Sequence, residues 1–285
     1  MTHLDHPAPA RGHSTAPTGN MGRTMSPSSA PDPVRPVVLL TDFGPGSPYV
    51  GQMELAVAKV APRAHIFHLA HDLPPQNIRA AALVAVTSRP LLPEGAVLCI
   101  VVDPGVGTDR AIVAGPMPDG RLAVVPDNGL AAALDVNPAF VVENRDLMAK
   151  EISTTFHGRD VFAPVAAHLA TGADPASVGP RRPTAELTAL AIPLRSEARG
   201  GEILFCDHYG NLITNLRANR ADPAETLRVR DIELPRVRTY GDAPEGSLVV
   251  VEGSFGNLEI AEVGGNAASS MGVGAGTPVT RVPGR

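Results

Sequence analysis

The chain reads as two folds in tandem, an α/β domain on a mostly parallel sheet followed by a smaller all-β, barrel-like domain. Three observations predict this. From Pro36 to Gly179 short apolar runs alternate with helical stretches, as when strands are joined by crossover helices. From Gly201 onward strand-like runs follow one another between turn residues, with no helix longer than two turns. Between them, Pro180 to Pro193 is proline-punctuated with little apolar periodicity and reads as a linker. The expected limits are a disordered tail over 1–35, the α/β domain over 36–179, the linker over 180–199 and the barrel-like domain over 200–285.

In order, Val37 to Leu40 is an apolar strand closed by Thr41-Asp42-Phe43-Gly44, and Tyr49 to Val60 is helical until Pro62 stops it. Ile66 to Ala70 is a strand ending at His71-Asp72. Pro74-Pro75 opens an alanine-rich helix from Asn77 to Ser88, suited to close packing on a sheet. Ala96 to Val102 is an apolar run bounded by turn signals, hence a buried strand. Leu122 to Val125 ends in Pro126-Asp127-Asn128-Gly129. Ser153 to Asp160 precedes a helix to Ala170, with Asp160 the candidate N-cap and Gly172 suited to the position after its end. The second domain shows runs at Glu202 to Cys206, Leu212 to Leu216, Leu227 to Leu234, Ser247 to Glu252, Leu258 to Ala261 and Pro278 to Val282.

Composition narrows the function. Hydrophobic residues make up 44% of 285, a globular proportion. A net charge of -5 without a basic block argues against nucleic acid or an anionic membrane as partner. Cys99 and Cys206, each inside an apolar run, read as reduced, buried thiols rather than a disulfide framework or zinc site. Residues 1–35 are rich in Pro, Ser, Thr, Gly and His and lack an apolar segment fit for export; Met21 and Met25 are alternative starts. His3, His6 and His13 carry little functional weight. No span of about 18 apolar residues occurs, so a soluble, cytoplasmic protein is expected.

Successive strands end in polar clusters: Asp42, His71-Asp72, Asp103 and Asp127-Asn128. Each alone is ordinary turn chemistry. Together they point to one site, because open α/β sheets bind ligands at the carboxyl ends of their strands. In Val102-Asp103-Pro104-Gly105-Val106-Gly107-Thr108-Asp109-Arg110 the strand delivers Asp103 to the sheet edge, and the turn folds Arg110 back onto it. The glycines are expected to let backbone approach a ligand. His157, between Phe156 and Gly158 at a loop-to-helix junction, is placed to project into a site, whereas His65, His68 and His168 read as packed or surface residues. Thr41-Asp42-Phe43-Gly44 lacks the accompanying segments of a protein kinase, and Gly105-Val106-Gly107 lacks the remaining glycine and lysine of a phosphate-binding loop. Asp42, Asp72, Asp103, Asp127, His71 and His157 offer hard metal ligands, but without His-x-x-x-His or Asp-x-Asp spacing, and Arg110 beside Asp103 would repel a cation.

Taken together, these motifs and Asp207-His208-Tyr209-Gly210-Asn211 closely resemble, from about Val37 onward, the S-adenosyl-L-methionine (SAM) hydroxide adenosyltransferase family, the adenosine-forming SAM hydrolases related to fluorinases and chlorinases. The resemblance implies an α/β domain, a C-terminal β-barrel and a homotrimer binding SAM between one subunit's N-terminal domain and its neighbour's C-terminal domain. It implies a catalytic triad of Asp103, Arg110 and His157, with Asp42 on the ribose hydroxyls. Asp207 and Asn211 would hold the amino-acid end, Tyr209 the nucleoside, and the Ser254-Phe255 segment the methionine carboxylate and adenine. No cofactor or metal is implied.

Two departures separate the chain from the halogenases of that family: Asp103 stands where those carry an aromatic or similar residue, and Gly158 replaces the fluorinase serine that contacts halide. The fluorinase insertion after Asp103 is missing, and Phe255 stands in place of an arginine. The expected reaction is attack of water on the ribose 5′-carbon. The leaving group is a neutral thioether and needs no general acid. An arginine beside Asp103 favours its charged form, and positioning supplies on the order of 7–11 kcal/mol of such a barrier in the best cases. Halide-dependent nucleoside formation and SAM binding without turnover are the alternatives.

Overall fold

The computed structural model describes residues 34–218 and 225–284. The expectations for His3, His6, His13, Met21, Met25 and residues 1–33 of the tail fall outside this range. Val34 and Arg35, the last two residues of that segment, are packed: Val34 lies on the core, and the Arg35 N–H donates to the Ala170 carbonyl at 2.9 Å.

β1 (Val37–Thr41) is buried along its whole length, as befits a strand covered on both faces. α1 (Pro48–Val60) starts where Ser47 accepts the Tyr49 N–H and Pro48 presets the helical φ; it buries Val50, Met53 and Val57, one face at helical spacing. β2 (Ile66–Ala70) follows at the sheet edge. The Asn77 side chain caps α2 (Ile78–Ser88) by accepting the Ala80 N–H at 3.0 Å, and this helix buries Ala80, Ala81, Ala82, Leu83 and Ala85. Then come β3 (Val97–Val101), β4 (Ile112–Pro116), β5 (Leu122–Pro126), α3 (Leu130–Ala133), β6 (Ala139–Val141), α4 (Ala163–Ala170) and β7 (Arg181–Arg182).

Among the described residues these strands form one sheet in the order β2-β1-β3-β5-β4-β6-β7. The first four run parallel, and β4, β6 and β7 extend the sheet antiparallel. α2 and α3 pack on one face and α1 and α4 on the other. The antiparallel strands were not anticipated from sequence. β4 contains Gly115-Pro116, a turn signal, yet Gly115 serves close packing: a Cβ there would run into the Pro138 carbonyl oxygen.

The second half contains β8 (Gly200–Cys206), β9 (Leu212–Arg217), β10 (Thr226–Val229), β11 (Ile232–Leu234), β12 (Leu248–Glu252), β13 (Asn257–Glu262), α5 (Ala267–Met271) and β14 (Pro278–Val282). They pair antiparallel as β11-β10-β14-β8-β9-β13-β12, and a bridge from Arg236 to Val250 nearly closes the barrel. The run Leu227 to Leu234, expected as one strand, is a hairpin that turns at Arg230 in the left-handed region (φ +53°).

The barrel has its own apolar interior, but Leu204, Phe205 and Ile213 belong to the core beneath α2. Asn77 Nδ2 donates to the Leu204 carbonyl at 2.9 Å, and Arg79 pairs with Glu202. The stretch read as a linker is seated as well. Leu187, Leu190, Ile192 and Leu194 pack on that core, and the Thr188 N–H donates to Asp127 at 2.8 Å. Its prolines interrupt hydrogen-bond ladders without keeping these side chains off the core. Cys99 and Cys206 are free thiols; burial pushes the Cys99 thiol up to about 12, while Cys206 is only half-buried. Among the described residues no helix is long and apolar enough to cross a membrane.

Candidate active site

A cavity of about 210 Å³ lies at the carboxyl ends of β1 and β3. The β1 end supplies Asp42 and Phe43, and the β3 end supplies Val101, Asp103, Pro104 and Val106. Thr155, Phe156, His157 and Gly158 close it from the loop before α4, and Gln76 from the turn before α2.

Asp103 and Arg110 meet as the sequence predicts. The Arg110 Nε–H donates to Asp103 Oδ1 at 2.9 Å and the Nη2–H to Oδ2, a two-pronged pair with side chains 8% and 3% exposed respectively. Asp103 Oδ1 also accepts the Gly105 N–H at 3.2 Å, which tightens the turn. Both glycines also clear space for the protein itself. A Cβ on Gly105 would lie 3.2 Å from Arg110 Cβ. At Gly107 φ is +78°, and a Cβ would lie 2.5 Å from the Thr154 carbonyl oxygen. The close approach docks the Asp103–Arg110 turn against the loop that carries His157.

His157 precedes a single π-turn, Gly158–Phe162, which leads into α4. Such one-residue expansions of a helix are frequent at functional sites. Its Nδ1 is buried without a hydrogen-bond partner, as is Arg110 Nη1. Burial, and then the nearby Arg110 charge, lower the His157 pKa, with Asp103 and Asp160 opposing, so the ring is neutral at neutral pH. The Arg110 guanidinium also lies 5.7 Å from the Phe162 ring centre.

At Asp42, burial raises the pKa, the Gln76 N–H donating at 2.6 Å opposes it, and nearby Asp103 raises it further. Gln76 makes that bond from a left-handed backbone (φ +61°), costly for a residue with a Cβ. Nothing in the sequence signalled it. Phe43 and Phe156 wall the cavity and meet Tyr49 edge to face at 5.8 and 5.0 Å. A Cβ on Gly158 would lie 3.2 Å from Met53 Sδ and 3.4 Å from Phe43, so a serine there is crowded.

The other strand-end groups are used elsewhere. Asp127 is buried, pairs with Arg182 at 3.1 Å and accepts the Thr188 N–H, and Asn128 donates to the Val102 carbonyl at 3.0 Å. Asp160 does not cap α4. It sits inside the π-turn, where burial pushes its carboxyl up but hydrogen bonds from Arg159 and the Ser153 N–H outweigh this and hold it below its ordinary value. His71 and Asp72 line a separate hollow on the α1 side.

None of the five C-terminal residues lines the 210 Å³ cavity. Asp207 Oδ1 accepts the N–H groups of Tyr209 and Asn211, both at 2.9 Å, and Oδ2 accepts Asn211 Nδ2 at 3.0 Å. This rigid turn holds Tyr209 75% exposed. Phe255 packs on Phe205, with ring centres 6.4 Å apart, next to Ser254. Among the described residues no three His, Cys, Asp or Glu side chains are grouped to hold a metal ion.

The chain is similar over most of its length to proteins of one kind. A protein of Thermus thermophilus named (R)-S-adenosyl-L-methionine hydrolase is 43% identical over 86% of this chain and 99% of its own. One of the same name from Salinispora tropica is 41% identical over 83% of this chain and 93% of its own. A fluorinase of an Actinoplanes species is more distant, at 25% identity. The crystal structure of a conserved hypothetical protein from Thermus thermophilus superposes with a TM-score of 0.75 at 40% identity, covering 87% of this chain and all of that one. Residues 37–179 match the family model described as SAM hydroxide adenosyltransferase N-terminal domain, and residues 201–280 match its C-terminal counterpart. The chain therefore belongs to the SAM hydroxide adenosyltransferase family.

Proposed function

We propose that this chain hydrolyses S-adenosyl-L-methionine to adenosine and L-methionine. The observation that carries the reading is the convergence of the Asp103–Arg110 pair and a neutral His157 on one cavity. Water held there attacks the ribose 5′-carbon as the carbon–sulfur bond breaks. The bonding pair leaves on sulfur, which becomes a neutral thioether, and the water proton passes to His157. Asp103 and Arg110 orient the water, and Asp42 grips the ribose hydroxyls. The relatives are named for the (R) form, and a pyramidal sulfonium keeps its configuration, so we take (R)-SAM as the substrate.

The cavity of about 210 Å³ is smaller than the roughly 300–1,000 Å³ usual for ligand sites, and its walls come from the N-terminal half. That supports completion by Asp207, Tyr209, Asn211, Ser254 and Phe255 of a neighbouring copy in a homotrimer. The reaction needs no metal or cofactor, because the sulfonium already makes a good leaving group. Two free cysteines suit the reducing cytoplasm.

Incubation with (R)-SAM and (S)-SAM, with and without chelator or chloride, tests this. Equimolar adenosine and methionine from the (R) form, resistant to chelation, are expected. Intact SAM would leave a binding protein, loss on chelation would revive a metal centre, and 5′-chloro-5′-deoxyadenosine would make the chain a halogenase.

A further inference from the structure

In a regular strand His68 and His71, three residues apart, point to opposite faces of the sheet. Here β2 carries a bulge: Leu39 of β1 pairs with His68 but Leu40 pairs with Ala70, so Leu69 is the extra residue. The insertion shifts the alternation and turns both histidines to the α1 side. Their rings meet at 5.0 Å between centres, with His68 Nδ1 2.8 Å from His71 Nε2. On its other side His71 Nδ1 lies 2.9 Å from the hydroxyl of Thr41, a fully buried residue immediately before Asp42. The Thr41 hydroxyl also accepts the Phe43 N–H at 3.4 Å, and the His71 carbonyl accepts the Gly44 N–H at 2.7 Å. Residue 71 therefore grips the Thr41–Gly44 turn by side chain and main chain together.

We propose that His71 is a positioning residue for Asp42, holding the ribose-gripping carboxylate in place through a Thr41–His71–His68 chain that the β2 bulge creates. The inference rests on the role proposed for Asp42. The distances fit one consistent polarity, in which the Thr41 O–H donates to His71 Nδ1 and the His71 Nε2–H to His68 Nδ1, while the outer His68 nitrogen lies 3.7 Å from Glu54. In that arrangement the His71 ring is neutral. A proton added to His71 Nδ1 must be donated to Thr41, whose own hydrogen loses its acceptor in a buried site. Burial, then His68, lower the His71 pKa, while Glu54 on α1 and Asp72 in the following turn oppose. A folded pKa below the unfolded one means that the intact chain prevails above the ordinary value and is lost as pH falls through the folded one.

The test compares Thr41→Val, which keeps the shape and removes the hydroxyl, with Thr41→Ser, which keeps the hydroxyl, and with His68→Ala at the exposed end. Adenosine affinity by calorimetry and the KM for SAM are read from pH 5 to 8. Thr41→Val is expected to weaken both about five- to tenfold, the worth of one neutral hydrogen bond, with kcat little changed. Thr41→Ser retains wild-type values, and His68→Ala shifts in the direction of Thr41→Val. Wild-type KM rises on the acid side, and in Thr41→Val that rise is smaller, the remainder belonging to protonation of Asp42 itself. Wild-type behaviour of Thr41→Val, or an equal loss in Thr41→Ser, would overturn the proposal. Should wild-type protein bind adenosine yet leave SAM intact, hydrolysis fails as a reading and the adenosine arm still decides the relay. Should Asp42→Ala bind adenosine normally, the relay falls with the role of Asp42.

Discussion

Neutral His157 beside the buried Asp103–Arg110 pair sets the direction in which acid acts on the reaction. Its folded pKa lies below the ordinary value of about 6.5, so the proton-accepting form is complete above that pH and is lost as pH falls through the lowered value. A kcat profile is expected to be flat through neutrality and to fall on the acid side, while His157→Asn shows low, pH-independent turnover. A profile rising toward acid would remove His157 as proton acceptor. The strand-end acid and its turn-borne arginine were legible because successive strands end in polar clusters on one edge of the sheet, and the family resemblance joined His157 to them. Asp127 looked equivalent and is not, since Arg182 and Thr188 from a segment some sixty residues on consume it. Gln76 and His68 stayed hidden because their placement depends on a left-handed φ and on a bulge, neither of which residue type announces.

Among the elements, the Asp103–Arg110 turn and the loop before the π-turn behave as one piece through Gly107. Gly107→Ala places a Cβ 2.5 Å from the Thr154 carbonyl oxygen and demands φ +78° of an alanine. Strain of roughly 1–3 kcal/mol is expected, with the loop pushed away from Asp103. Thermal melts should show the lower stability and assays a larger loss in kcat than in KM; a variant matching wild type in both would uncouple the two loops. The parallel core of the sheet was readable because β1, β3 and β5 are continuous apolar runs between turn signals. β4, with its Gly-Pro ending, and the three-residue β6 gave no such contrast.

On the scale of the whole molecule, the two sets of site residues lie apart, and the homotrimer proposal joins them across copies. Asp103→Ala and Asp207→Ala should each lose turnover alone. Co-refolded in equal amounts, they should regain about a quarter of wild-type activity, since in a cyclic assembly some sites then combine two intact halves. No recovery in verified mixed oligomers would place each site within a single chain. The domain order was legible because strand–helix alternation gives way to uninterrupted strands. That apolar residues of the intervening stretch would pack on the core was not, since they sit among prolines without a period of their own.

Leu204, Phe205 and Ile213 share a core with α2, and Asn77 bonds to the Leu204 carbonyl. The same turn thus carries Gln76 against Asp42 and, one residue on, the seat of the barrel. A chimera that joins this N-terminal half to a relative's barrel at residue 200 would exchange part of a core rather than cut a hinge. The Gln76–Asp42 bond would register the mismatch, so shuffled enzymes should need their own Pro74–Ser88 segment transplanted with the barrel.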